Sequence, residues 1–210
     1  MKTRFFCAST AAFLMLAAGG DARAEGATLA HYQTNGDEAS AEFFSEDLET
    51  CPLGIVTRVM VVADAFQGKW NGLPVDQGHT LLLLSVFDHC ENAPVLSLVA
   101  QTRHQNLEIT QNLGLATLTT DRPFFDEISQ SYVDVAIDLV WEGWGRITRQ
   151  RLSATENFEN LTFIKQTSGL TRRADATGSV IVDGINRTPS PALEAGIDKS
   201  SFHELTVIRH

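Results

Sequence analysis

Residues 132–142 read YVDVAIDLVWE, and this stretch decides the fold class. Val133, Val135, Ile137, Leu139 and Trp141 take alternate positions, while Tyr132, Asp134, Ala136, Asp138 and Glu142 fill the places between, with Val140 among them. A period of two puts one set on the buried face of a pleated strand and the other in water. Gly143-Trp144-Gly145 comes next and predicts a tight turn, because glycine accepts positive φ without steric cost. Residues 146–154 then return as its hairpin partner.

Outward from that strand the same period recurs. Residues 53–66 carry Ile55, Val59, Val61, Ala63 and Ala65 on one face, with Arg58, Met60, Val62, Asp64 and Phe66 on the other. Apolar residues on both faces predict a central strand. Residues 67–74 (QGKWNGLP) are dense in turn formers. Residues 80–87 (TLLLLSVF) form a short apolar run bounded by Gly78 and Asp88, which reads as a buried strand. Residues 95–102 follow as its partner. Further strands are expected at 39–48, 107–110, 113–119, 161–166, 172–182 and 202–208. Residues 124–130 hold the one plausible helical turn, and 188–196, with Pro189 and Pro191, a loop. The expectation is an all-β chain of nine to eleven strands with little helix, built as an antiparallel β-sandwich, with a β-barrel as the alternative.

The N-terminus speaks of destination. Lys2 and Arg4 precede an apolar run of about 14 residues, shorter than the roughly 20 a spanning helix needs. Gly19, Gly20 and the triplet Ala22-Arg23-Ala24 complete the order of a secretory signal peptide, cleaved after Ala24. Cys7 would leave with it. The expected organisation is a signal peptide over 1–24, a flexible N-terminal arm over 25–38 and one β-rich domain over 39–210, secreted or periplasmic, with no transmembrane segment. Losing Lys2, Arg4 and Arg23 against Asp21 leaves 13 basic and 25 acidic residues, a net charge of −12. That charge opposes binding to nucleic acid or anionic lipid.

Cys51 and Cys90 remain. An oxidising compartment and the lack of a C-x-x-C pair predict one disulfide between them. His79, His89 and His104 lie close in sequence, near Asp76, Asp88 and Glu91, but their spacing matches no zinc signature. They are weak metal candidates, and no metal or other cofactor is expected. No G-x-S-x-G elbow occurs. Asp134 and Asp138 share a strand face about 13 Å apart, too far for a glycosidase pair.

Two groups point toward ligand binding. Trp70 and Trp144 sit near predicted turns, where tryptophan stacks on sugar rings. Arg146, Arg149 and Arg151, followed by Lys165, Arg172 and Arg173, crowd basic charge into an acidic chain. Arginine grips carboxylate or phosphate in two bonds. The simpler account pairs these charges with Asp134, Asp138 and Glu142 across the predicted hairpin. With no catalytic signature, the sequence reads as an exported non-catalytic binding or surface-associated module, its partner a glycan or another exported protein. A secreted or periplasmic hydrolase of envelope or extracellular polymers is one alternative. A structural or assembly subunit is another, which would show an unpaired strand edge or a large apolar patch.

Overall fold

A computed structural model describes residues 27–103, 105–188 and 191–209. The expected signal peptide, His104 and His210 lie outside these residues. Twelve strands occur, and no helix is found among the described residues: β1 (Ala27–Asp47), β2 (Ile55–Trp70), β3 (Leu73–Asp88), β4 (Ala93–Thr102), β5 (Asn106–Ile109), β6 (Leu115–Thr120), β7 (Phe124–Asp126), β8 (Ser131–Val133), β9 (Val135–Phe158), β10 (Leu161–Val182), β11 (Ile185–Asn186) and β12 (Glu194–Arg209). They form one antiparallel sheet in the order β5-β6-β9-β10-β12-β1-β2-β3-β4-β7-β8, with β11 added to β10. The sheet curls into a half-barrel, so the expected all-β antiparallel architecture is met by one bent layer.

The curl has a visible cause. Val135, Ile137, Leu139 and Trp141, the alternate set of the opening stretch, are all buried on the core face. Trp141 lies beside Ala176 in the ladder, and its Nε1 donates 2.8 Å to the backbone oxygen of Ser40 on β1, across β10 and β12. Opposite and beside the indole, β10 carries the small buried residues Ala176 and Ala174, and further along at Gly178 a Cβ would stand 2.1 Å from the Asp138 backbone oxygen. Ala39, Ala41 and Phe43 from β1, Val59 and Val61 from β2, and Leu82 and Leu84 from β3 complete the core.

That core lies under only part of each long strand. On β9 the buried alternation stops at Trp141; from Trp144 to the end of the strand every residue but Ala154 is exposed. The first half of β1 also lies beyond the core: its residues are mostly half-buried or exposed, with Thr34 and Gly36 buried, and Ala39 is the first core residue. Six strands (β9, β10, β12, β1, β2 and β3) therefore run past the core as a blade with solvent on both faces. At about 3.3 Å per residue, the 24 residues of β9 span roughly 80 Å.

Several local expectations change. Gly143-Trp144-Gly145 is no turn: β9 continues through it, and residues 146–154 belong to the same strand instead of a hairpin partner. The ladder with β10 shifts register between Thr171 and Arg173, and Gly145 takes φ 71°. A glycine at positive φ serves a β-bulge as well as it serves a turn. Likewise 161–166 and 172–182 are one strand, β10. Residues 27–38, expected as a loose arm, form half of β1, paired to β12 and β2. Residues 124–130 hold β7 and a turn in place of a helix. There Asp126 accepts the Ile128 and Ser129 amides, at 3.1 and 2.9 Å. Burial pushes the Asp126 carboxyl up, but bonds from Ser129, Ile128 and Val99 outweigh it and hold its pKa below the usual range.

The Cys51–Cys90 disulfide is present, with Cα atoms 6.0 Å apart. It ties the β1–β2 connection to the β3–β4 connection. Closing a loop of 39 residues gives about 4 kcal/mol in the chain-entropy model.

Candidate functional site

Antiparallel pairing sets directly opposed residues on the same face. Glu38 on β1 is opposed by Asp198 on β12 and by Asp64 on β2. Asp64 is opposed in turn by His79 on β3, and Asp198 by Thr171 on β10. The result is one row across five strands, Thr171–Asp198–Glu38–Asp64–His79, on the outer face. Asp64 is only 5% exposed. Its carboxylate receives His79, with Nδ1 2.7 Å from Oδ1 and 2.6 Å from Oδ2. That bond raises the His79 pKa, against burial and the nearby Arg103 charge.

Glu38 has no such partner among the described residues. Its neighbour Asp37 points to the opposite face and binds Lys199 at 2.9 Å. Burial, then the charges of Asp198 and Asp64, push the Glu38 carboxyl up to about 7, with His79 working the other way. Burial also raises Asp198, against a hydrogen bond with Thr171. The row thus holds a carboxyl that exchanges its proton near neutrality beside a His–Asp pair. Shifted groups of this kind gather at functional sites, although structural ion pairs shift pKa values too.

A second feature lies further along the same face. Trp70 at the end of β2 packs its ring 5.7 Å from Tyr32, which lies 5.9 Å from Phe202 on β12. Together they cover Thr34, which is 8% exposed, while Trp70 keeps 38% of its surface in water. Phe66 lies over Gly36, where a Cβ would come within 2.5 Å of its ring.

The candidates named from sequence are scattered. Trp144 is on the outer face beside the bulge, its Nε1 3.1 Å from Asp175 and its ring 5.8 Å from the Arg173 guanidinium. Three strands separate it from the strand of Trp70. Arg149 and Arg151 share the core-side face of the blade, opposite Leu170 and Ser168, and Arg146 lies in the bulge. Of the carboxylates expected to face them, Asp138 and Glu142 are on the same strand and Asp134 directly precedes it, so the hairpin pairing does not exist. His89 is exposed and packs edge-on against Phe87 at 4.9 Å, and His79 is committed to Asp64. Asp88 receives the Cys90 and Glu91 amides. The tightest grouping of metal-ligand types among the described residues is Cys51, Asp88 and Cys90, whose sulfurs are bonded to each other and offer no thiolate.

Sequence reading missed the Glu38 row because register alone assembles it. Its three acids are far apart in the chain, and Glu38 stood in the supposed arm. Two open depressions exist elsewhere. The larger, about 770 Å³, is bordered by Asp121, Arg122 and Asp138, and the other, about 340 Å³, by Asp76 and Arg103. Neither includes the row, and no described histidine lines them. No helix among the described residues is long and apolar enough to cross a membrane. No protein-family model, curated protein or solved structure matches the chain, and its own residues carry the functional argument.

Proposed function

We propose that the chain is an exported, non-catalytic binding module and that the blade is its binding surface. The observation that carries this reading is a sheet extended well beyond its core, with apolar side chains left in water along it. Leu73, Leu152 and Phe158 on the blade are 67%, 68% and 58% exposed. Leu73 lies on β3 and Leu152 and Phe158 on β9, so they are separate apolar contact points that the blade offers a ligand. The Tyr32–Trp70–Phe202 group adds a preformed aromatic platform, suited to stacking on a sugar ring or an apolar side chain. The hydrolase alternative has less behind it: the His–Asp pair lies on a sheet face, outside both depressions.

A glycan array probed with the full chain and with Trp70→Ala tests this. Binding by the parent that Trp70→Ala loses at least tenfold supports the reading. Release of cleavage products from the bound glycans by the parent would replace the module with the enzyme.

A further inference from the structure

Resting on the binding-module reading, we propose that the free edge of β9, residues 146–158, binds an extended acidic segment of a partner protein as an added strand. β6 pairs with β9 only as far as Glu142, and no described strand pairs with that edge beyond it. Along these thirteen residues, roughly 40 Å of strand, about every second one thus presents its N–H and C=O outward to solvent. An open edge of that length templates another chain.

Charge selects the occupant. Arg149 and Arg151 project from one face two residues apart, at the repeat of any strand laid beside them. Both are exposed, as is Arg146, and none has an ion pair among the described residues. Acidic residues at every second position of an added strand would stand opposite them, close enough for bidentate bonds. Other occupants fit less well. A second copy pairing through the same edge would bring arginines together. The opposite edge of the blade, Leu73 to His79 on β3, has Pro74, which lacks an N–H, and one carboxylate, Asp76. The first 26 residues of the chain carry Lys2, Arg4 and Arg23 against Asp21 and Glu25.

The test is fluorescence anisotropy of the full chain with labelled 12-residue peptides. One has Glu at alternate positions between Thr and Val, a second has Lys in place of Glu, and a third is the Glu peptide N-methylated along one edge. Arg149→Glu/Arg151→Glu reverses the edge charge, and Arg149→Gln/Arg151→Gln serves should the reversal fail to fold. The Glu peptide should bind the parent and lose at least tenfold with the Glu variant and severalfold with the Gln variant. The Lys peptide should gain on the Glu variant, and the N-methylated peptide should bind at least tenfold more weakly than its parent. Equal binding of the methylated peptide would show charge attraction without strand addition and overturn the proposal. Indifference to the arginine changes would overturn it too, as would self-association in sedimentation with no peptide bound. Trp70-dependent glycan binding that survives any of these failures would leave the module reading standing.

Discussion

Replacing Glu38 with glutamine should stabilise the chain at pH 8 and change it far less at pH 5. In the folded chain the carboxyl titrates at about 7, against an ordinary value of 4.5. The folded state therefore binds the proton more tightly than the unfolded state does. Its contribution is full below 4.5 and is lost as pH rises through 7. A shift of that size corresponds to about 3.4 kcal/mol at alkaline pH before screening, of which about 0.8 is already lost at pH 5. Glu38 keeps partial contact with water, which screens the two neighbouring carboxylates, so a difference of about 1–2 kcal/mol between the two pH values is the working figure. For a chain of 210 residues, that is a rise in Tm of about 3–6 °C at pH 8. His79 and Asp198, both raised, also withdraw stability as pH rises, so parent and variant must be compared at each pH. Thermal melts followed by circular dichroism at both values give the answer. A Glu38→Gln effect of the same size at pH 5 and pH 8 would refute the argument, since no proton would then be linked to folding at this position.

The remaining expectations concern the parts that hold the blade and its row in place. His79→Ala should cost about 1–3 kcal/mol at pH 7 by leaving the buried Asp64 carboxylate without its partner, and His79→Ala/Asp64→Asn should recover much of that in urea titrations. Trp141→Phe should cost about 2–3 kcal/mol, because it opens a cavity in the core and strands the Ser40 oxygen; chemical denaturation measures it. Cys51→Ala/Cys90→Ala should lose up to about 4 kcal/mol, and reductant should lower the parent's melting temperature but not the variant's.

How far the sequence could be read follows from where the core ends. Alternation along residues 135–141 was legible because one face of that strand is packed and the other is wet, and each of Val135, Ile137, Leu139 and Trp141 is buried as the pattern requires. Residues 80–87 were legible as a short, continuous apolar run between turn signals, and the partner expected at 95–102 does pair with them, as part of β4. Past the core the signal disappears. Residues 27–38 and 146–158 are strands whose two faces both meet water, so nothing in their composition alternates, and the eye finds an arm in one and the return of a hairpin in the other. Gly143 and Gly145 strengthened the error, since turn and bulge ask the same backbone freedom of glycine. The candidate site fared worse: a row made by register across β10, β12, β1, β2 and β3 leaves no local spacing to recognise.

That loss of pattern bears on function. A strand without a core beneath it gains little from hydrophobic burial and keeps its shape through ladder bonds and cross-strand pairs, each worth about 0.2–1 kcal/mol. Here the same six strands are anchored at one end in a packed half-barrel, so the blade inherits its register and twist from the core. Within the blade few residues are buried. Yet this is where Trp70 and Tyr32 form a platform, where Arg149 and Arg151 have no ion pair among the described residues, and where a carboxyl row is held at the cost of ionising Glu38. Packing alone does not account for these groups, which is why the proposed binding reading places its contacts on the blade.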